Sequence, residues 1–133
     1  MPESRAQAST PWFVKNVMNP IFTATGSFPI VAVRGRKSGK VYRTPINVLE
    51  LEGTRYLLSP RGETNWSRNL RAVGECSLKM KGEERGYRAT EVPVEERPAL
   101  ISAYLERWGS QAHGQFEKLP DPADHPAFRL EPI

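Results

Sequence analysis

The sequence predicts an α+β fold, a barrel or highly twisted sheet of about six mostly antiparallel strands with about three flanking helices. Short apolar runs recur between Gly-containing turns, which is the pattern of successive hairpins. Two stretches between them instead carry apolar residues at helical spacing, each followed by a glycine. With 133 residues, 38% hydrophobic and 26% charged, the chain suits one soluble domain (residues 1–133) around one core.

Taken in order, residues 1–10 read as a polar, disordered arm. From 11 to 22 an amphipathic helix is expected, with Thr10 as N-cap, Pro11 at the first helical position and Trp12, Phe13 and Val17 near one face. Its plain reading is a helix lying on the domain over a pocket or sheet end. The alternative is an interfacial helix in peripheral contact with a membrane, for which the single Lys15 is thin electrostatic support. Strands follow at Phe28–Val33, Val41–Leu49 and Thr54–Leu58, a three-stranded meander turning at Glu52-Gly53. A helix over Asn65–Val73 is capped by Thr64, stopped by Gly74 and striped by Trp66, Leu70 and Val73. Strands at Cys76–Lys81 and Tyr87–Val92 come next, then a helix from Glu95 to Trp108 ending at Gly109. The stretch from Ser110 to Pro126, rich in Pro, Asp, Gln and His, reads as a partly ordered loop that could act as a lid. Ala127–Glu131 is a last strand.

The formal net charge of +4 is unevenly spread. Residues 34–81 hold eleven Lys/Arg against four acids, a balance of +7, whereas residues 82–133 hold six against ten, a balance of −4. Within the first region Arg34, Arg36, Lys37, Lys40 and Arg43 fall in ten residues without an acid. Such a segment concentrates anionic partners. The plain alternative is a solvated hairpin tip, but uncompensated like charges repel unless an anion sits among them. No apolar run approaches the roughly 20 residues that cross a bilayer, and no secretory signal is evident. A lone cysteine, Cys76, is compatible with a reducing cytoplasm, and its place in a strand reads as a buried structural thiol.

Several chemistries fail on the residues. Gly35 to Lys40 superficially resembles a P-loop, but that motif needs Gly where Arg34 stands and Ser or Thr where Val41 stands. The dinucleotide fingerprint is missing, His113 and His125 are too isolated to anchor a metal, and no nucleophile, base and orienting acid stand at a recognisable spacing. No catalytic side chain is therefore assigned, and any reaction would fall to a cofactor. Two segments remain as candidate sites. One is the basic turn with Thr44-Pro45-Ile46-Asn47. The other is Ser59 to Asn69, where Gly62 and Thr64 open a helix whose N-terminus suits phosphate.

In this order and at about these distances, Gly35-Arg36-Lys37-Ser38-Gly39, Thr44-Pro45, Ser59 with Gly62, and Trp66-x-x-Asn69-Leu70 resemble the deazaflavin-dependent nitroreductase family. The likeness runs from about Phe28 to Pro132. It implies a split β-barrel related to the flavin-binding pyridoxamine-phosphate-oxidase-like group, and hydride transfer from reduced coenzyme F420, with FMN as the alternative cofactor. Carried over motif by motif, Arg36, Lys37 and Ser38 would meet the cofactor's phosphate and oligoglutamate tail. Thr44, Pro45, Ile46 and Asn47 would run beside the deazaflavin ring, Ser59, Pro60, Arg61 and Gly62 would add phosphate contacts, and Trp66, Asn69 and Leu70 would close the groove. The family's strand arginine stands two residues before the Thr of Thr-Pro, where this chain has Tyr42 followed by Arg43; a one-residue offset along a strand reverses the face. Its phosphate loop is Ser-Pro-Arg-Gly, which gives Arg61 the role of the family's lysine. Trp12, Trp108, His113 and Phe116 are the expected substrate-pocket residues, with Gln111 in the same region.

The expectation is a small cytoplasmic oxidoreductase, peripheral to the inner membrane face if the N-terminal helix touches it. It would use F420 to reduce a hydrophobic small-molecule acceptor such as a quinone or an activated alkene, with nitro compounds incidental. The rivals are a non-enzymatic lipid or fatty-acid binder on the same barrel and an FMN- or haem-binding relative. Nucleic acid is not an expected partner, because the basic segment lacks a recognition helix or aromatic ladder. Related barrels often dimerise, so a homodimer is open.

Overall fold

The computed structural model describes residues 28–133, with the side chains of Ser110 and Gln111 outside that description. The expected arm 1–10, the helix 11–22 and Trp12 lie outside the described residues. Seven strands and two α-helices follow in the order β1 (Ile30–Arg34), β2 (Val41–Pro45), β3 (Val48–Leu51), β4 (Thr54–Leu58), α1 (Asn65–Val73), β5 (Glu75–Met80), β6 (Glu83–Glu91), α2 (Arg97–Lys118) and β7 (Ala127–Pro132). Short 3-10 turns at Val94–Glu96 and Pro122–Asp124 flank α2.

All pairings are antiparallel, and the sheet runs β2-β1-β5-β6-β7-β4-β3. Strands β2 and β3 are consecutive in sequence yet form its two opposite edges. Only Ile46 and Asn47 join them, and three Cα–Cα steps reach about 11 Å. The sheet must therefore curl until its edges meet, closing into a barrel that stays split along the β2/β3 seam, where no ladder forms among the described residues. The expected single strand Val41–Leu49 and its meander are thus corrected. The Ile46 N–H makes one more bond to the neighbouring chain, to Pro29 O opposite it at 3.0 Å, but Pro29 has no N–H to return it, so the ladder ends there and the chain changes edge.

Two cores use opposite faces of the same strands. Val31, Val33, Val48, Leu57, Leu78, Tyr87, Phe128 and Leu130 form one, and α1 adds Leu70 and the edge of Trp66 to it. Leu49, Leu58 and Ala127 face the other way and meet Leu100, Tyr104, Ala112 and Phe116 of α2. The alternation Leu57/Leu58 and Ala127/Phe128 is the period of two expected of a sheet buried on both sides.

The expected ends of α1 hold in detail. Thr64 caps through Oγ1, its own N–H is met by Ser67 Oγ at 2.9 Å, and Gly74 at φ 79° closes the helix. Helix α2 corrects the expected loop and lid. At Trp108 the backbone leaves helical geometry (φ −126°, ψ 25°), which kinks the helix beside Gly109, but it resumes and runs to Lys118. The continuation is held by burial: Ala112 and Phe116, one turn apart, both sit in the second core. Hairpin β5–β6 is also tighter than expected. Lys81 (φ 49°) and Gly82 (φ 88°) make a two-residue turn, so β6 begins at Glu83. No helix among the described residues is long and apolar enough to cross a membrane.

Cys76 is fully buried on β5, as expected, and burial, with a smaller effect of Glu75, pushes its thiol up to about 12. Because the folded value exceeds the ordinary 9.0, its contribution to stability is intact below about pH 9 and is lost as pH rises toward 12. Thiol-specific reagents at pH 8 should leave native protein unlabelled and label Cys76 stoichiometrically in denaturant; rapid native labelling would contradict this burial.

Candidate active site

The basic turn between β1 and β2 is built from its own backbone. Gly35 N–H donates to Lys40 O at 2.6 Å, Gly39 (φ 77°) donates back to Gly35 O at 3.1 Å, and Ser38 Oγ accepts from Lys40 N–H at 3.1 Å. A Cβ on Gly35 would fall 2.7 Å from the Tyr42 ring, so any other residue there would push that exposed ring off the turn. Helix α1 then fixes the turn from outside it. Asn69, 4% exposed, accepts at Oδ1 from the Arg36 backbone N–H at 3.0 Å and from its guanidinium at 2.7 Å. The amide thus sets the direction of the turn, leaving Lys37 and Lys40 exposed.

Beside the turn lies a groove of about 500 Å³ walled by Arg36, Lys37, Ser38, Tyr42, Arg43, Thr44, Trp66 and Asn69. It meets a second space of about 620 Å³, walled by Thr44, Pro45, Ile46, Asn47, Ser59, Pro60, Arg61, Trp66 and Tyr104. Thr44, Asn65 and Trp66 border both, so the two make one groove following the split seam, basic at the turn end. Tyr42 and Arg43 both border it, on different terms. The Tyr42 hydroxyl lies 3.2 Å from Ser38 Oγ, whereas Arg43 reaches a buried carboxylate, Glu84, at 3.6 Å.

The Ser59 loop is held from behind. Ser59 is 2% exposed, donates its N–H to Pro126 O at 3.0 Å and its hydroxyl to Gly62 O. Its carbonyl faces Nδ1 of His125 at 2.9 Å, and Nε2 of that fully buried ring faces Leu119 O at 2.5 Å. Phe116 covers the imidazole at 4.3 Å between centroids. Arg97, 5% exposed, gathers the same segment by donating to Val92 O, Pro122 O and His125 O at 2.9, 3.3 and 3.3 Å. Sequence reading missed both roles; a histidine and an arginine amid prolines gave only a faint signal.

At the far end of the groove, Asn47 Nδ2 donates to the Tyr104 hydroxyl at 3.0 Å. Tyr104 is 4% exposed, and burial raises its phenol above the ordinary value, with the Asn47 hydrogen bond acting the other way. Asn47 was expected beside a ring; Tyr104 was read only as part of an apolar helix face.

Other expected residues fall elsewhere. Leu70 is wholly buried in the first core and borders none of these spaces. Gly62 (φ 90°) is buried in the loop against Leu119 and Asp124. Trp108 borders a third cavity, of about 370 Å³. His113 is exposed on the outer side of α2, 3.5 Å from Glu117, because Ala112 and Phe116 take the inner side. Phe116 packs on His125 in the core, so neither His113 nor Phe116 borders a described cavity; Ala112 and Gln115 border the groove instead.

Known proteins agree with this architecture. No sequence match is found among curated proteins. Among solved structures the chain resembles an F420-H2 dependent reductase, FDR-A, at 22% identity over 77% of this chain and 92% of that one, with a TM-score of 0.62. A protein of unknown function from Agrobacterium tumefaciens matches at 24% identity over 92% of this chain and 55% of that one, TM-score 0.65. A domain-swapped dimer matches at 19% over 90% and 97%, TM-score 0.60. At these identities the likeness is one of fold, the split β-barrel. The sequence profile of the F420H(2)-dependent quinone reductases matches residues 16–118, most of the chain. The chain therefore belongs to the F420H(2)-dependent quinone reductase family and is an oxidoreductase whose cofactor is coenzyme F420.

Proposed function

We propose that the seam groove holds F420 with its phosphate and acidic tail at the basic turn and its ring beside Thr44–Asn47, and that the acceptor is a hydrophobic conjugated compound, a quinone or an activated alkene. Nitro compounds would be incidental. The observation that carries this is the uneven charge of one continuous groove: Arg36, Lys37 and Arg43 border one half, whereas the other holds Arg61 alone and a half-buried Asn47 bonded to the buried Tyr104. The donor set fits an elongated polyanion. Lys37 and Arg61 border the groove and form no salt bridge among the described residues, and Thr44 and Ser38 add hydroxyls.

When bound in its reduced form, F420 supplies a hydride, and the acceptor takes up one further proton. The chain's own part is orientation, exclusion of water and a hydrogen bond. Trp66 forms the wall shared by both halves of the groove, narrowing water access. Tyr104 accepts the Asn47 amide proton, which leaves its own O–H free to donate into the groove. Tyr104→Phe should lower kcat by about tenfold, the worth of one hydrogen bond, while F420 affinity stays within about twofold. An equal loss of F420 affinity would move that hydroxyl to cofactor binding. A homodimer is a further expectation, supported by the domain-swapped relative and tested by light scattering.

Reduced F420 should be oxidised at 1,4-naphthoquinone's expense, followed by absorbance. F420 binding without turnover on quinone, enone or nitro acceptors would make the chain a cofactor carrier and overturn the catalytic reading.

A further inference from the structure

The third cavity, of about 370 Å³, is not part of the groove, but Asn47 and Phe28 border both. Its walls mix two characters. Trp108 and Met80 give it apolar surface, with the buried Tyr87 behind them under the Arg55 guanidinium, while Lys81, Arg85 and Arg107 bring three cations to it. A fourth, Arg55, is already engaged, with Nε 2.8 Å from Glu50 and NH1 on the Tyr87 hydroxyl at 2.5 Å. Glu83 is the other acid bordering the cavity, and Lys81, Arg85 and Arg107 form no salt bridge among the described residues. Arg107 is instead laid over the Trp108 ring, 5.0 Å from its centroid, which fixes a guanidinium at the aromatic wall. Lys81 and Arg107 also act on Glu50 through space, but four cations against two acids leave the cavity net positive, which raises the local concentration of anions, and a guanidinium fork matches an oxyanion in shape.

We infer that this cavity receives the hydride acceptor and that the acceptor carries an anionic substituent, a carboxylate or similar oxyanion, on a flat conjugated carbonyl body. The body lies against Met80 and Trp108, and the anion meets Lys81, Arg85 and Arg107. Its carbonyl end is then at Asn47, the residue shared with the cofactor groove. The acceptor gains two electrons and two protons: one hydrogen arrives as hydride from reduced F420 and the other as a proton exchanged through solvent, as F420 returns to its oxidised form. This rests on the groove being the cofactor site.

The test compares 1,4-naphthoquinone-2-sulfonate with neutral 1,4-naphthoquinone by calorimetry on full-length protein saturated with F420, alongside a direct F420 titration. The sulfonate should bind at least tenfold more tightly at low salt. That preference should fall to near unity in the Lys81→Ala/Arg107→Ala variant, whose F420 affinity and melting temperature stay unchanged. Equal affinity for the two quinones, or a preference indifferent to the variant, overturns the inference while leaving the groove intact. Sulfonate binding that F420 abolishes also overturns it, because the cations would then hold the cofactor tail. Failure of F420 itself to bind would instead sink the groove reading and the acceptor role with it.

Discussion

Lys37→Ala together with Arg61→Ala should weaken F420 binding by about ten- to a hundredfold and flatten its dependence on salt, with no change in thermal unfolding. Both side chains are exposed and border the groove at separate points, Lys37 at the basic turn and Arg61 at the Ser59 loop. Neither supports the fold through an ion pair among the described residues. A charge-assisted hydrogen bond is among the stronger single contacts a ligand can make, and each loss of a cation removes a share of the screened long-range attraction. Fluorescence titration across a salt series measures both quantities. An unchanged affinity and slope would return these residues to the solvated surface.

His125→Ala should have the largest effect on stability, about 3–5 kcal/mol, seen in urea unfolding or as a fall in Tm of about 10–20 °C. The imidazole is wholly buried, and each ring nitrogen faces a carbonyl oxygen, Ser59 O at 2.9 Å and Leu119 O at 2.5 Å. Alanine leaves both carbonyls without that partner and empties the space beside Phe116. The damage is directional, because Ser59 O belongs to the loop bordering the groove. F420 affinity should therefore fall even at temperatures where the variant remains folded. A variant that is destabilised but binds F420 normally would separate the imidazole from the site.

Local signals were legible in the sequence and held. Thr64 and Gly74 delimit α1 because a cap and a left-handed stop act within a turn of the residues that specify them. The basic turn could be read from charge spacing alone, and Cys76 from its place in an apolar strand. What failed depended on partners distant in the chain. Gly109 looked like a helix end because nothing nearby reveals that Ala112 and Phe116 find Leu49, Leu58 and Ala127 to pack against. Pro45-Ile46-Asn47 looked like continuous strand because its break is specified by the sheet's closure. The site divides in the same way. Arg36, Lys37, Ser38, Thr44, Asn47, Ser59, Arg61, Trp66 and Asn69 do gather around one groove. The supports behind them, His125 and Arg97, bind backbone carbonyls, and such contacts leave no pattern of residue types to read. Tyr42 and Arg43 both border the groove, Tyr42 with its hydroxyl near Ser38 of the turn and Arg43 near the buried Glu84.

The most direct measurement is a competition titration of the full-length chain with F420, FMN and a long-chain fatty acid, followed by the fluorescence of F420. The seam groove, richest in cations at the turn and continuous through Thr44, Asn65 and Trp66, predicts saturable micromolar or tighter F420 binding that weakens with salt and that neither competitor displaces at equal concentration. Tight binding of FMN or the fatty acid in the absence of any for F420 would contradict it.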